Sequence, residues 1–115
     1  PIFPAVATES RIRWAGLAPE TFAWYTTYEN IGYCKPNPDY YREILRYLGC
    51  RAEDCLMVGN DVEEDMMAAQ AAGLSVFLLT DCLLNRKEKD ISSYPQGDFD
   101  ALLAFVEEWG GEASL

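Results

Sequence analysis

Two short apolar segments, separated by a stretch of helical length, constrain the fold of this chain more than any other feature. They cover residues 55–58, directly before Gly59, and residues 75–79. Nearly continuous apolar runs of this length are typical of parallel strands that are buried on both faces. Parallel neighbours need a crossover connection, and residues 61–72 can form the helix that provides it. The segments therefore predict a β-α-β unit in the middle of the chain.

The rest of the chain continues the alternation of helices and strands. Caps, glycine stops and composition predict a helix over residues 4–16, a strand over 22–28, a helix over 38–48, a polar loop over 80–97 and a helix over 99–109. Asn37 can cap the second helix, Pro38 suits its first position, and Gly49 can end it. Gly110 and Gly111 are expected to end the last helix. The order predicts an α/β fold with a Rossmann-like, three-layer parallel sheet.

Composition excludes several classes of function. The 115 residues are the length of one domain and include nine basic and nineteen acidic residues, a net charge of −10. Such a chain repels nucleic acid and anionic membrane surfaces, so neither is expected as a partner. It has no histidine, which excludes Ser–His and Cys–His catalytic pairs. No apolar run is long enough to span a membrane and no secretory signal is visible, so we expect a cytoplasmic protein.

The cysteines indicate neither a metal centre nor a disulfide framework. None of them form a C-x-x-C pair, and their spacings fit no familiar zinc-binding pattern. We expect Cys34, Cys50, Cys55 and Cys82 to be reduced and mostly buried, as small apolar residues of a cytoplasmic protein.

The segment after the first apolar run carries the residues best suited to bind a metal ion. It reads GNDVEED over residues 59–65. Ligands bind at the carboxyl ends of strands in open α/β sheets, and Asp61 and Asp65 lie four residues apart at a helix start. These carboxylates predict a Mg²⁺ site, since Mg²⁺ usually takes one or two carboxylates and keeps several waters. The alternative, compatible with the first, is that Asp61 caps the helix and the other acids favour its dipole.

A lysine lies in a loop shaped by prolines before the second predicted helix. Pro36 and Pro38 restrict the backbone, and the residue before each proline is kept out of helix, so Lys35 is held in an extended stretch. A lysine fixed beside a carboxylate cluster can neutralise a phosphoryl group. Taken alone, the same pattern is more typical of a surface lysine in a turn.

Together the two loops resemble motifs of the haloacid dehalogenase-like (HAD) hydrolases, most closely the C-terminal half of the phosphatase-type members. The shared pattern is K-P-x-P-x-x-Y, a three-turn helix, a strand ending in V-G-N-D-x-x-x-D, and A-G-L, and it covers about residues 1–82. The resemblance implies that Lys35 is the lysine of motif three and that residues 59–65 are the acidic motif four. It assigns Mg²⁺ to Asp61 first and Asp65 second. Asn60, which replaces the acid most common after the glycine, is a substitute contact.

The resemblance also implies which motifs are missing. In the family, the first aspartate of a D-x-D motif on the first strand forms an aspartyl-phosphate, and a serine or threonine of motif two holds the phosphoryl group. Asp98 and Asp100 have the D-x-D spacing but open a helix, and Thr8 and Thr26 do not lie where motif two belongs. We therefore expect residues 1–115 to be the C-terminal part of a HAD-like core domain. This part would lack the first and second strands and be inactive alone.

An incomplete sheet implies a partner. The family's first strand lies beside the strand predicted at residues 55–58, so the missing N-terminal half or a swapped neighbouring chain is expected to complete the sheet. The expected substrate is a small phosphorylated molecule, selected by a cap domain outside this chain. The alternatives are a non-catalytic binding module derived from the fold, a dehalogenase, and a receiver-type phospho-acceptor domain. In a receiver domain the acids precede the lysine, whereas here Lys35 comes first.

Overall fold

The computed structural model describes the backbone of residues 2–113 and the side chains of residues 2–109. Its regular elements in that part are α1 (Ala5–Trp14), α2 (Pro38–Leu48), β1 (Leu56–Gly59), α3 (Ala68–Ala71), β2 (Ser75–Leu79), β3 (Gln96–Gly97) and α4 (Phe99–Ala113). A π-helical stretch, Val62–Met67, runs directly into α3. Short 3₁₀ turns lie at Pro19–Thr21 and Ala52–Asp54.

The three strands form one parallel sheet in the order β1-β2-β3. Val58 of β1 lies opposite Phe77 of β2, so the two apolar segments are neighbours as predicted. Successive side chains of a strand point to opposite faces of the sheet. Val76 and Leu78 pack into the core formed with the π-helical stretch and α3, whereas Phe77 contacts Phe105 of α4, with ring centroids 5.1 Å apart. Helices thus cover both faces, which confirms the three-layer α/β fold.

Helix α2 begins and ends where its sequence predicts. The Asn37 side chain accepts a hydrogen bond from the backbone N–H of Asp39 at 2.9 Å, and Gly49 adopts the left-handed conformation with φ of 67°. The buried Tyr41 hydroxyl donates to the carbonyl of Glu64 at 2.9 Å. This bond fixes α2, and with it the loop that precedes the helix, against the π-helical stretch.

The connection between β1 and β2 is helical, as predicted, but its first part is wider than an α-helix. Met66 donates its backbone N–H to the carbonyl of Asp61, five residues earlier, at 3.2 Å. π-helical turns of this kind are rare and occur frequently at functional sites. The turn buries Val62, Asp65 and Met66 together. It therefore places a carboxylate inside the protein, just beyond the end of β1.

The strand predicted over residues 22–28 is not formed. Among residues 2–113 the segment has no regular strand structure, and one backbone hydrogen bond links it to the N-terminal region, from Tyr28 N–H to the Phe3 carbonyl at 2.8 Å. Side chains hold it on α2 instead, since the rings of Trp24 and Tyr47 lie 5.1 Å apart. Aromatic and β-branched residues favour extended backbone, but a strand also needs a hydrogen-bonded neighbour. No strand among residues 2–113 lies beside this segment.

The stretch predicted as a polar loop over residues 80–97 contains regular pairing. Gln96–Gly97 form β3, which pairs in parallel with the end of β2. Leu84 forms an isolated parallel bridge with Asp61. Neither contact could be predicted from the sequence, because pairings of one or two residues are made by the backbone and require no apolar pattern.

Helix α4 is longer than predicted. It continues to Ala113, so Gly110 and Gly111 do not end it. A glycine costs a helix interior about 1 kcal/mol relative to alanine, which weakens a helix without forbidding it. In the described part of the chain, no helix combines the length and the apolar character that crossing a membrane requires.

The four cysteines are free thiols, as predicted, but the expectation that they are mostly buried is wrong. Cys34, Cys50 and Cys82 are exposed, and Cys55 is partly buried. All four lie outside the helices and strands that form the core. Cys34, Cys50 and Cys82 therefore lie on exposed loops and not on a face that packs into the core.

In the described part of the chain, strand β1 has one open edge. Among residues 2–113 its single strand neighbour is β2. A cavity of about 490 Å³ with mostly apolar walls lies against β1 and between two helices. Ile44 and Leu48 of α2, Leu56 of β1, and Val106 and Trp109 of α4 contribute to its lining. The sheet is therefore incomplete next to β1, where the family resemblance implies a further strand.

Candidate functional site

The residues selected from the sequence meet at the carboxyl end of β1. A cavity of about 370 Å³ opens there, and its polar lining includes Lys35, Asn60, Asp65 and Asp81, with Gly59 at the end of the strand. Carboxyl ends of neighbouring parallel strands are where ligands bind in open α/β sheets. We refer to the cavity lined by these five residues as the strand-end cavity. It is the candidate site.

An ion pair joins the two predicted loops. Lys35 Nζ lies 2.6 Å from Asp65 Oδ1, with 33% of the lysine side chain and 4% of the aspartate side chain exposed. Partial burial by itself lowers the pKa of Lys35, but the hydrogen bond and charge of Asp65 outweigh it, and the pKa is raised. Lys35 is therefore a fixed cation at neutral pH, and part of it still faces the strand-end cavity.

The Asp65 carboxylate is held on its other side by the backbone. Its Oδ2 accepts hydrogen bonds from the N–H groups of Asn60 and Asp61, both at 3.1 Å. The side chain occupies the space that a Cβ at Gly59 would fill. A buried carboxylate is costly unless it is paired and hydrogen-bonded, and here one cation and two backbone donors compensate that cost.

Asp61 makes a different set of contacts. Its Oδ1 accepts from the backbone N–H groups of Glu63 at 3.0 Å and Glu64 at 2.9 Å, which caps the π-helical stretch. Its Oδ2 lies 2.7 Å from Arg86 Nη1, and only 6% of the side chain is exposed. Burial by itself raises the pKa of Asp61, but the capping bonds and Arg86 outweigh it and lower the pKa. Asp61 therefore caps the π-helical stretch and pairs with Arg86, and it does not line the strand-end cavity.

Asn60 is oriented by the loop after β2. Its Nδ2 donates to the carbonyl of Cys82 at 2.7 Å. A carbonyl oxygen can only accept, so the contacting atom is the nitrogen of the carboxamide and Oδ1 is the atom left for other partners. Within the part of the chain that the structure describes, the carboxamide oxygen of Asn60 is therefore available as a ligand atom beside Asp65.

The structure brings together three of the four predicted site residues. Lys35, Asn60 and Asp65 line the strand-end cavity, whereas Asp61 does not. Two further residues were not predicted. Asp81 follows β2 as the acidic segment follows β1, so a carboxylate just after an apolar strand was its signal. Arg86 lies among other charged residues of a polar loop and carries no local signal.

The strand-end cavity offers oxygen donors of the kind that a hard cation prefers. Within the part of the chain that the structure describes, no group of three or more acidic, cysteine or histidine side chains could hold a metal by itself. Asn60, Asp65 and Asp81 nevertheless line one cavity. Mg²⁺ commonly binds through one or two carboxylates and completes its coordination with water and substrate phosphate. The donor set fits Mg²⁺ better than a metal that prefers nitrogen or sulfur ligands.

Comparison with known proteins identifies sequence relatives. A family profile described as HAD-hydrolase-like matches residues 32–95, a region that contains both Lys35 and the 59–65 segment. Glyceraldehyde 3-phosphate phosphatase from Methanothermobacter thermautotrophicus is 39% identical over 64 residues, which cover 56% of this chain and 28% of that protein.

Two solved structures share the fold. A 2-haloacid dehalogenase from Pseudomonas syringae pv. Tomato DC3000 matches with a TM-score of 0.66 and 26% identity, over 85% of this chain and 42% of that one. An uncharacterized protein from Listeria monocytogenes serotype 4b matches with a TM-score of 0.64 and 18% identity, over 89% of this chain and 65% of that one. The chain thus spans less than two thirds of the length of each of these relatives.

Proposed function

The chain belongs to the HAD-like hydrolases, and on that premise we propose that it is part of a phosphohydrolase acting on small phosphorylated substrates in the cytoplasm. The observation that carries the proposal is the ion pair of Lys35 Nζ and Asp65 Oδ1, 2.6 Å apart at the carboxyl end of β1. A preorganised cation at a strand end is suited to bind a phosphoryl group. The similarity to a phosphatase supports this substrate class.

In this proposal Lys35 is the residue that binds and orients the phosphoryl group. Its side chain is anchored at one end of the strand-end cavity by Asp65 and remains one-third exposed, so its other N–H bonds can reach a bound anion. A cation that is already in place stabilises charge on a transferring phosphoryl group without reorganising during the reaction. Asp65 then has a positioning role, because it sets where the ammonium group lies.

We propose that Asn60 Oδ1 and the Asp65 carboxylate hold Mg²⁺, with Asp81 as a further oxygen donor at the same cavity. When bound, the ion would neutralise negative charge on the phosphoryl oxygens. Asp61, to which the resemblance assigned the metal first, is proposed instead to cap the π-helical stretch behind these residues. Unlike Asn60 and Asp65, Asp61 does not line the strand-end cavity, and its carboxylate contacts the helix start and Arg86.

We propose that the nucleophilic aspartate, which forms the aspartyl-phosphate, is supplied from outside this chain. Asp98 does not provide it: its carboxylate accepts a hydrogen bond from the backbone N–H of Ala101 at 2.9 Å and so caps α4. The open edge of β1 and the apolar cavity beside it support a strand added there by the N-terminal half of the protein or by a swapped neighbour. Such a strand would end beside the strand-end cavity.

The test is an assay of the full-length protein with and without Mg²⁺. The substrates are p-nitrophenyl phosphate and a panel of small phosphomonoesters that includes glyceraldehyde 3-phosphate. We expect Lys35→Met and Asp65→Asn to lower kcat by about 100-fold or more, the size of effect seen when one preorganised electrostatic contact is removed. Lys87→Met is the matched control, since it removes the exposed lysine that pairs with Glu63 and should leave activity unchanged.

Each alternative gives a different result. Wild-type rates in both Lys35→Met and Asp65→Asn would contradict the site assignment. Metal-independent turnover of a 2-haloacid would favour a dehalogenase, the activity named for one structural relative. A folded full-length protein that binds phosphorylated ligands without hydrolysing them would favour the non-catalytic binding module.

A further inference from the structure

The loop after β2 is fastened to the segment that carries Asn60. Backbone bonds run from Leu84 N–H to the Asn60 carbonyl at 2.9 Å and from Val62 N–H to the Leu84 carbonyl at 3.0 Å. The Cys82 carbonyl accepts from Asn60 Nδ2 at 2.7 Å. Residues 82–86 are here called the Arg86 loop. This loop therefore contacts both the backbone and the side chain of Asn60.

One side chain of this loop reaches a buried charge. Arg86 Nη1 lies 2.7 Å from Asp61 Oδ2, and the arginine is more than half exposed while the aspartate is buried. The other Asp61 oxygen caps the π-helical stretch. A single carboxylate therefore ties the Arg86 loop to the start of the helix that carries Asp65. Outside the Leu84 bridge, the Arg86 loop has no regular secondary structure of its own.

We propose that Arg86 is a positioning residue: by holding the Arg86 loop against Asp61 it keeps the Cys82 carbonyl on Asn60 Nδ2, so that Asn60 Oδ1 faces the strand-end cavity. Without Arg86 the loop loses its charged anchor. The carboxamide can then rotate and present either its nitrogen or its oxygen. If the carboxamide nitrogen faced the strand-end cavity, it would repel a cation, because an amide NH₂ donates hydrogen bonds and offers no lone pair to a metal. The identification of the cation as Mg²⁺ rests on the proposed function.

The experiment compares variants of the full-length protein by two readouts. Mg²⁺ binding is measured by calorimetry, and the carboxamide and backbone amide signals of Asn60 and Leu84 are followed by NMR of ¹⁵N-labelled protein. Arg86→Met is expected to weaken Mg²⁺ binding by about tenfold, as is usual when a group that orients a metal ligand is removed. It should also shift the Asn60 carboxamide signals and speed exchange at Leu84.

Two further variants separate positioning from general destabilisation. Arg86→Lys, which restores a cation, should recover part of the Mg²⁺ affinity and move the Asn60 signals back towards the wild type. Lys87→Met, which breaks the neighbouring pair with Glu63, should change neither readout. Equal effects of Arg86→Met and Lys87→Met would overturn the proposal, as would Arg86→Met with unchanged Asn60 signals. A wild-type protein that binds no Mg²⁺ would overturn the proposed function, and the carboxamide signals alone would then decide whether Arg86 positions Asn60.

Discussion

The Asp65 carboxylate occupies the space beside Gly59 that the Cβ of any other residue would need. Gly59→Ala would therefore push Asp65 away from Lys35 and from the two backbone N–H groups that it accepts from. We expect the substitution to destabilise the full-length protein by about 1–3 kcal/mol, the usual cost of forcing extra volume into a packed site. Phosphatase activity should fall with it. Urea unfolding and the rate on p-nitrophenyl phosphate measure the two effects.

Gly32→Ala is the matched control for this substitution. A Cβ at Gly32 would meet no atom within 4 Å, and its backbone needs no left-handed conformation. It should therefore leave stability and activity close to those of the wild type. Equal behaviour of the two alanine variants would contradict the role assigned to the Gly59–Asp65 contact.

Lys35 should contribute to stability as well as to activity. Lys35→Met leaves the buried Asp65 carboxylate without its cation, and removing one partner of a buried pair typically costs 3–5 kcal/mol. Because one-third of the lysine side chain is exposed, we expect about 3 kcal/mol or less. The double variant Lys35→Met with Asp65→Asn should cost less than the sum of the single variants. Additive free energies of unfolding would show that the two side chains do not interact.

Acid should destabilise the protein partly through Asp61. The pKa of Asp61 is lowered in the folded state, so its charged form contributes stability above the ordinary aspartate pKa of about 3.9. This contribution is lost as the pH falls through the lower, folded-state pKa. The free energy of unfolding of the wild type should therefore decrease more steeply below about pH 4 than that of Asp61→Asn. Asp61→Asn keeps a capping oxygen but carries no charge to pair with Arg86.

Urea unfolding at a series of pH values measures this difference. Asp100→Asn, at an exposed position in the first turn of α4, should retain the wild-type pH dependence. A constant stability difference between wild type and Asp61→Asn from pH 3 to pH 7 would show that the Asp61 charge does not stabilise the fold.

The open edge of β1 predicts the behaviour of the 115 residues expressed alone. We expect them to self-associate, because an unpaired strand edge is a template for pairing with another chain. Backbone amides of β1 should exchange faster with solvent than those of β2, which has a strand neighbour on each side. In the full-length protein the β1 amides should become as protected as those of β2. A stable monomer of 13.0 kDa by sedimentation, with β1 fully protected, would contradict the proposed added strand.

The sequence by itself determined the elements whose formation depends on neighbours along the chain. The apolar runs became β1 and β2 because strands covered on both faces need apolar residues throughout; β2 is buried at its centre, and β1 is partly buried. Asn37 begins α2 and Gly49 ends it, and both could be predicted because caps act within one helical turn. The proline-restricted Lys35 loop and the acidic segment were likewise visible as local patterns, and their order along the chain carried the family resemblance.

Only the tertiary structure decided what depends on contacts between distant residues. Residues 22–28 have the composition of a strand but lack a neighbouring strand among the described residues. The sequence showed that Asp61 could cap a helix, but it did not show that Asp61 pairs with Arg86, 25 residues away. Asn60 likewise depends on the Cys82 carbonyl, 22 residues away, for the direction of its carboxamide. Hydrogen bonds across such separations depend on how the loops pack, and no local pattern of residues encodes them.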